Sequence, residues 1–224
     1  MNWVKIMDSK LLSSEGLLFI ISSPSGAGKT SLSKWILKND PNVTFSISAT
    51  TRMPREGEKE GREYFFKTER EFKNMVRAGE MLEYADVFGN KYGTPKTPVE
   101  NALANGVDVL FDVDWQGGIQ IRNSHLRKFV VSIFILPPSI KELENRLILR
   151  GKDSDDIVKT RMIKSKEEIS HWSEYDYILV NADLDTVHND IKSIIHTERL
   201  RRVNRQVLVE FVNSLNSEFE GRYK

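Results

Sequence analysis

The stretch Leu17–Thr30 reads Leu-Leu-Phe-Ile-Ile-Ser-Ser-Pro-Ser-Gly-Ala-Gly-Lys-Thr. An apolar run is followed by a Ser-Pro-Ser-Gly turn and then by Gly-Lys-Thr. The apolar run predicts a strand that is buried on both faces, and the residues after Gly28 predict the start of a helix. A glycine-rich turn between a buried strand and a helix is typical of a backbone that wraps around phosphate groups.

The chemistry of phosphate binding requires the residue types found in this turn. Glycines allow several backbone N–H groups to converge on phosphate oxygens, and the Lys29 ammonium can reach the β- and γ-phosphates of a nucleoside triphosphate. The Thr30 hydroxyl can bind Mg²⁺, and the N-terminus of the following helix favours negative charge.

The strict phosphate-loop pattern has glycine where this chain has Ser23. The alternative interpretation is an ordinary strand-to-helix turn, but strand, spacing and helix all agree with a phosphate loop. We therefore expect a nucleoside-triphosphate site. Its predicted residues are Ser23, Pro24, Ser25, Gly26, Ala27, Gly28, Lys29 and Thr30.

The composition of the chain limits its class. Its 224 residues are 39% apolar and 29% charged, which is typical of one globular domain. A net charge of +1 gives no overall attraction to nucleic acid or to anionic membranes, and the absence of cysteine excludes disulfides and thiolate chemistry. The longest apolar runs are too short to span a bilayer, and residues 1–15 contain no clear signal peptide. We expect a cytoplasmic protein.

The order of apolar and amphipathic segments predicts an α/β fold, with a parallel sheet and helices on both of its faces. The predicted buried strands are Leu17–Ser22, Val107–Val113, Val130–Leu136 and Tyr177–Val180. We expect helices after Lys29, Trp115, Ser139, Ser154 and Asp183. Capping boxes at Thr68–Glu71 and Ser139–Glu142 mark two helix starts.

Two segments interrupt this order. In residues 44–94 we predict short strands at Ser46–Ser48, Tyr64–Phe66 and Met81–Phe88, which indicates a strand-rich insertion. A polar loop at Arg150–Asp156 indicates a lid that moves over a ligand. The predicted division is an N-terminal extension (1–16) and a domain (17–224) that consists of a core (17–43, 95–140 and 171–224), the insertion (about 44–94) and the lid (about 141–170).

The strand Val107–Val113 is predicted to end in acidic residues. Asp112 and Asp114 share a side-chain direction on a strand, so both can face one site. Beside a phosphate loop, such carboxylates can join the coordination shell of Mg²⁺. The alternative is a pair of acids at a strand end that face solvent.

Two arginines lie three residues apart in a loop stiffened by Pro54. Arg52 and Arg55 can fork around one phosphate, since guanidinium groups suit bidentate contacts, and the hydroxyls of Tyr64 and Tyr92 can add donors. By spacing alone, solvated arginines and buried tyrosines are the favoured interpretation.

Several motifs, in order, resemble the guanylate kinase family. The resemblance covers roughly Leu17 to Arg202. Besides the phosphate loop, its motifs are Ser48–Arg55, Gly61–Phe66, Leu82-Glu83, Phe88–Thr94, Asp112–Gly117, Phe134–Ser139, Arg146 with Arg150-Gly151, and Val180-Asn181. It implies a phosphate-loop kinase fold and the reaction ATP + GMP = ADP + GDP with Mg²⁺ as cofactor.

The resemblance also implies roles for single residues at the GMP end. The phosphate of GMP would be held by Arg52, Arg55, Tyr64 and Tyr92. Guanine would be bound by Ser48, Glu83 and Thr94, and Thr94 stands where many relatives have serine. Asp112 and Asp114 would lie between the two nucleotides, with roles in the metal shell and in GMP contacts that the motif does not separate.

For the ATP end, the resemblance implies a lid of arginines. Arg146, Arg150 and Arg161 would close on the ATP phosphates and act in catalysis with Lys29 and Asp112. Without the resemblance, Arg146 and Arg150 read as one solvated helix face. Asn181 would contact the base or ribose of ATP, and its alternative is a turn asparagine. No general base is needed, because the attacking phosphate oxygen of GMP is already ionised.

Two other functions remain as alternatives. The first is a binding module that uses the same fold to recognise phosphorylated peptides, but Gly28, Lys29 and Asp112 are needed only by an enzyme. The second is a kinase with a different phosphorylated acceptor, which Glu83 disfavours. The four histidines are interpreted as surface or packing residues. The basic cluster of Arg199, Arg201, Arg202 and Arg205 is interpreted as a solvated helix face, so we expect no nucleic-acid partner. The partners are ATP and GMP, without a membrane, and the sequence leaves monomer and homodimer open.

Overall fold

The computed structural model describes residues 15–87, 89–149, 155–204 and 207–223. Residues 1–14 of the predicted extension, Phe88 and most of the predicted lid loop, including Arg150, lie outside this range. The strands are β1 Leu18–Ser22, β2 Val43–Phe45, β3 Ala49–Thr50, β4 Phe65–Phe66, β5 Met81–Val87, β6 Asn90–Pro95, β7 Asp108–Asp112, β8 Val130–Leu136 and β9 Tyr177–Val180. The helices are α1 Lys29–Asn39, α2 Glu69–Arg77, α3 Lys96–Ala104, α4 Trp115–Arg122, α5 Ile140–Leu149, α6 Asp155–Ser170, α7 Leu184–Leu200 and α8 Val207–Arg222.

A five-stranded parallel sheet forms the centre, with the strand order β2-β7-β1-β8-β9. Successive residues of a strand point to opposite faces, and β1 is buried throughout. Phe19 and Ile21 pack against α1 and α7, whereas Leu18 and Ile20 pack against α3 and α4. The predicted α/β fold with helices on both faces is therefore confirmed.

A second, four-stranded sheet has the order β4-β3-β6-β5 and is mostly antiparallel. It packs against α2 through the small cluster of Ala49, Phe72 and Met81. The capping box at Thr68–Glu71 starts α2, as predicted. Strand β5 also contacts α4, which brings this sheet to the edge of the central one.

The structure corrects the strand predicted at Ser46–Ser48. These residues are not a strand; they connect β2, which pairs with β7 in the central sheet, to β3 of the second sheet. The backbone leaves one sheet where Ser46 N–H donates to Leu110 O, and it enters the other where Ser48 O accepts from Phe65 N–H. The hydrogen bonds of this segment are thus divided between two sheets, although its alternating polar and apolar residues are typical of a single strand.

Strand β6 and helix α3 were not predicted either. Strand β6 contains Asn90, Gly93 and Pro95, which are poor strand formers, and its pairing with β5 forms it nonetheless. Helix α3 has Pro98 in its first turn, where proline is tolerated. Among the described residues, no helix is long and apolar enough to cross a membrane.

A partly buried ion network connects the last turn of α7 to the central sheet, so the prediction that Arg199 lies on a solvated helix face is wrong. The Asp108 carboxylate accepts from Leu17 N–H at 2.7 Å, and Arg199 Nε and Nη2 lie 2.7 and 2.6 Å from Asp108 Oδ2. Arg199 Nη1 also reaches Asp40 Oδ2 at 2.8 Å. Burial raises the pKa of Asp108 although Arg199 opposes this shift, so the carboxylate depends on its cation.

We predict that Arg199→Met lowers the free energy of unfolding by about 3 kcal/mol, because it leaves Asp108 buried without its counter-charge. Urea denaturation followed by circular dichroism measures this loss. Arg222→Met is the control, since it breaks only the exposed pair with Glu218 and should change stability by less than about 1 kcal/mol. Equal effects of the two substitutions would contradict the prediction.

Candidate active site

The phosphate loop lies between β1 and α1, as predicted. Gly28 precedes the helix with a φ of 106°, a conformation that side chains disfavour. The buried Asn181 carboxamide donates to Ala27 O at 2.6 Å, and a Cβ on Gly28 would lie 2.3 Å from Asn181 Nδ2. Glycine is therefore required at this position by both the backbone and the space.

An ion pair joins the loop to the end of β7. Because β1 and β7 are parallel neighbours with Ile21 opposite Asp112, the acid that ends β7 lies beside the loop. Lys29 Nζ is 2.7 Å from Asp112 Oδ1 and donates to Val113 O at 3.3 Å. Thr30 lies exposed in the first turn of α1.

A cleft of about 630 Å³ opens between the loop, the second sheet and α6. The predicted site residues that line it are Ser25, Ser48, Tyr64, Glu83, Tyr92, Asp112, Asp114 and Arg161. Sequence reasoning missed Trp115, Gln116, Glu167 and Glu168, which line it as well. Trp115 stacks on His171, with ring centroids 3.8 Å apart.

Glu83 is a buried carboxyl at one end of the cleft, with 5% of its surface exposed. Thr94 Oγ1 donates to Glu83 Oε1 at 2.7 Å. Burial raises the pKa of Glu83 to about 7; the Thr94 hydrogen bond opposes this shift, and the nearby charge of Asp114 adds to it. The group can therefore change its protonation state near neutral pH.

Helix α4 forms the wall behind this carboxyl. Asp114 is the N-cap of α4 and accepts from Gly117 N–H at 2.9 Å. A Cβ on Gly117 would lie 3.0 Å from Glu83 Oε2, so this helix can approach the carboxyl closely only with glycine there. Asp114 thus has a structural task in addition to its place in the cleft.

The predicted arginine and tyrosine cluster is assembled around Tyr64. The Arg52 guanidinium lies 5.3 Å from the centre of the Tyr64 ring, and Tyr92 meets that ring edge-on at 5.9 Å. Glu58, which sequence reasoning missed, accepts from Arg52 Nη2 with both oxygens at 2.8 and 2.9 Å. Glu58 also accepts from the backbone N–H of Arg55, whose side chain is exposed.

Of the remaining predicted residues, Asn181 lies beside the phosphate loop and Arg146 contacts Asn181. Arg146 Nη2 donates to Asn181 O at 3.2 Å, and its Nε donates to Glu142 Oε1 at 2.8 Å. Arg146 and Asn181 are not among the residues that line the cleft, whereas Arg161 is. Arg150 lies outside the described residues.

A further contact connects the phosphate loop to helix α6. Glu168 of α6 accepts from Ser25 N–H at 3.1 Å, so a carboxylate occupies one donor of the predicted phosphate loop. The two residues are 143 positions apart in the chain, and no local motif connects them.

Comparisons with known proteins give one consistent result. The family model of guanylate kinase matches residues 15–198, which includes all of the cleft described above. The guanylate kinase of Cereibacter sphaeroides is 60% identical over 207 residues, covering 92% of this chain and 98% of the relative. That of Ruegeria pomeroyi is 58% identical over 205 residues, covering 92% and 96%. The crystal structure of guanylate kinase from Anaplasma phagocytophilum matches with a TM-score of 0.74 at 36% identity, over 91% of this chain and 97% of that one.

We predict that Glu83→Gln stabilises the fold at pH 8 more than at pH 5. The pKa of Glu83 is about 7 in the folded chain and 4.5 as its reference value, so folding favours the protonated form. That contribution is fully present below pH 4.5 and is lost as the pH rises through 7. Relative to a side chain that cannot ionise, Glu83 therefore lowers the free energy of unfolding by about 3 kcal/mol at pH 8 and by about 1 kcal/mol at pH 5.

Thermal unfolding of the wild type and of Glu83→Gln at pH 5 and at pH 8 measures this difference. The amide keeps an acceptor for Thr94 and carries no charge, so the melting temperature should rise by several degrees at pH 8. The exposed Glu80→Gln is the control and should leave the melting temperature unchanged at both pH values. A gain at Glu83 that does not depend on pH would contradict the prediction.

Proposed function

The chain belongs to the guanylate kinase family, and on that premise we propose how its residues transfer a phosphoryl group from ATP to GMP. The chain catalyses ATP + GMP = ADP + GDP, a reaction of purine nucleotide metabolism. One observation carries the assignment of residues: a single cleft joins the phosphate loop, the Asp112 carboxylate and the buried Glu83 carboxyl.

At the ATP end, the loop from Ser23 to Thr30 binds the phosphates through its backbone N–H groups. Lys29 leaves Asp112 and binds the β- and γ-phosphates. The carboxamide of Asn181 supports the loop through Ala27 O, which keeps Gly28 in its left-handed conformation. We propose that Asn181 also borders the nucleoside of ATP.

The residues beside the loop fit Mg²⁺ as the cofactor. In the described part of the chain, no group of three or more acidic, histidine or cysteine side chains is placed to hold a metal. Mg²⁺ is commonly bound by one or two protein groups together with substrate phosphates and water, so a closed cage is not required. Thr30 and Asp112 would hold the ion, which neutralises charge on the phosphates when bound.

At the GMP end, ionised Glu83 accepts from N1–H and N2–H₂ of guanine, which are adjacent donors. Thr94 and Ser48 complete the contacts with the base. AMP has no such pair of donors, and it would leave a buried carboxylate without partners. Because the pKa of Glu83 is about 7 in the empty chain, GMP binding draws the proton from this group when it is protonated.

The phosphate of GMP takes the place of an internal carboxylate. Arg52, whose Nη2 contacts both oxygens of Glu58, exchanges them for phosphate oxygens, which a guanidinium also binds well. Arg55 and the hydroxyls of Tyr64 and Tyr92 supply further donors. The phosphate then presents an ionised oxygen to ATP, with Asp114 beside it.

We propose that the arginines of α5, α6 and the loop between them neutralise the transferring group. Arg161 lines the cleft, Arg146 lies beside Asn181, and Arg150 follows Leu149 of α5 in sequence. Closure around both nucleotides excludes water, which would otherwise accept the phosphoryl group. Catalysis then rests on positioning and on charge neutralisation, with no general base.

These roles support a division of the chain. We propose that residues 44–94 bind GMP and that residues 141–170 form a lid over ATP. The core would be residues 17–43, 95–140 and 171–224, with residues 1–16 as an extension. The second sheet, which begins at Ala49 and contains Glu83, supports the first assignment.

We further propose that the partners of the chain are these two nucleotides in the cytoplasm, without nucleic acid or membrane. The basic cluster near residue 200 supports this: Arg199 is paired with Asp40 and Asp108, and Arg201 with Glu198. Both arginines therefore have carboxylate partners within the chain. Monomer and homodimer both agree with these observations.

We predict that Glu83→Gln lowers kcat/KM for GMP about 100-fold, because a charged acceptor for two guanine donors is lost. Its activity with AMP should change little. A coupled assay of ADP formation with ATP, Mg²⁺ and GMP, AMP, CMP or UMP measures both effects. Glu80→Gln is the matched control, since it neutralises an exposed carboxylate that directly precedes the same strand and does not line the cleft. An unchanged ratio of GMP to AMP activity would show that guanine is recognised elsewhere.

We predict that Lys29→Ala lowers kcat about 10²–10³-fold while the fold is retained, because a cation on the transferring phosphates is removed. The same coupled assay measures the loss, and circular dichroism checks the fold. Lys34→Ala, an exposed lysine of the same helix, should keep full activity. Nearly full activity of Lys29→Ala would contradict our assignment of the loop.

A further inference from the structure

The contact between Glu168 and the phosphate loop has no part in the mechanism above. Glu168 belongs to α6, the helix that follows the proposed lid loop, and its Oε2 lies 3.1 Å from the Ser25 nitrogen. Burial raises the pKa of Glu168, whereas the Ser25 N–H and the charge of Lys29 lower it. The carboxyl is thus held at the loop by the Ser25 N–H, and the charge of Lys29 favours its ionised form.

A carboxylate oxygen at this position has the same chemistry as a phosphate oxygen. The backbone N–H groups of the loop form a concave set of donors for anions, and an anionic side chain fills part of it as a ligand would. A triphosphate adds several negative charges to the same space. Glu168 and the phosphates of ATP therefore compete for one donor and repel each other.

We propose that Glu168 is a placeholder anion, which occupies the phosphate loop while ATP is absent and leaves it when ATP binds. Two consequences follow. The carboxylate lowers the affinity for ATP, because it must first be displaced. Its departure frees α6 from Ser25, so occupancy of the loop by phosphate determines where this lid helix is held.

The magnitude follows from the fraction of time that the loop is occupied by Glu168. When only a fraction of molecules is competent to bind, the apparent affinity is reduced by that fraction. If the carboxylate fills the loop about 90% of the time, its removal tightens ATP binding about tenfold. The inference rests on our assignment of Ser23–Thr30 as the ATP site.

The test is calorimetric titration of the full chain with Mg·ATP in the absence of GMP. Glu168→Gln should lower the Kd about tenfold, because the amide keeps the size of the side chain and loses its charge. Glu167→Gln is the matched control: it removes the same charge from the next residue, which is exposed and also borders the cleft. Its Kd should stay within about twofold of the wild type. Inorganic tripolyphosphate should show the same pattern as ATP, since the competition concerns phosphate alone.

Two results would overturn the proposal. Unchanged or weaker binding by Glu168→Gln, with an intact circular dichroism spectrum, would mean that the carboxylate supports the loop instead of blocking it. An equal gain for Glu167→Gln would mean that only the overall charge of the cleft matters. Failure of the underlying assignment looks different, since ATP binding by the wild type would then be unaffected by Lys29→Ala.

Discussion

The ion pair between Lys29 and Asp112 is the contact on which the site depends. Parallel pairing of β1 with β7 brings the phosphate loop and the strand-end acid together, and the 2.7 Å pair holds them there without a ligand. The same arrangement recurs around the cleft. Glu58 holds Arg52, and Glu168 holds the Ser25 N–H. Each of these groups already has a partner within the chain, so on the proposed assignment the binding of nucleotides is an exchange of anions.

The negative charge of Glu83 is limited by protonation and not by pairing with a cation. Burial raises the pKa of Glu83 to about 7, so a proton can neutralise this carboxylate near neutral pH. At Asp112, the Lys29 ammonium neutralises the carboxylate instead. A buried carboxyl held in this manner weakens the fold, and a hydrophobic or amide side chain would suit the empty structure better. The proposed role of Glu83 would account for its burial, since a carboxylate shielded from water discriminates strongly between bases that do and do not offer two donors.

The sequence pattern predicted those elements whose formation depends mainly on residues close together in the chain. The buried strands β8 and β9 were predicted with the bounds that the structure has, because continuous apolar runs are hard to form any other way. Helix α3 and strand β6 were missed because their residues have weak preferences and depend on neighbours from elsewhere in the chain. The partner of Ser25 could not be predicted for the same reason, since Glu168 meets it only after the chain has folded. The motifs predicted candidate residues for binding the substrates, but they did not predict which groups of the chain those residues contact.

The pairing of Arg52 with Glu58 also affects how the chain would distinguish GMP from free phosphate ions. Orthophosphate offers the same kind of oxygen atoms as the phosphate of GMP, and an unpaired guanidinium would bind either of them. Here a free phosphate ion would have to break two short hydrogen bonds to Glu58 and would gain about as many in return. In the proposed mode of binding, GMP brings a base to Glu83 along with its phosphate, so it gains contacts that the ion cannot make. On that proposal, the internal carboxylate of Glu58 would favour the nucleotide over orthophosphate.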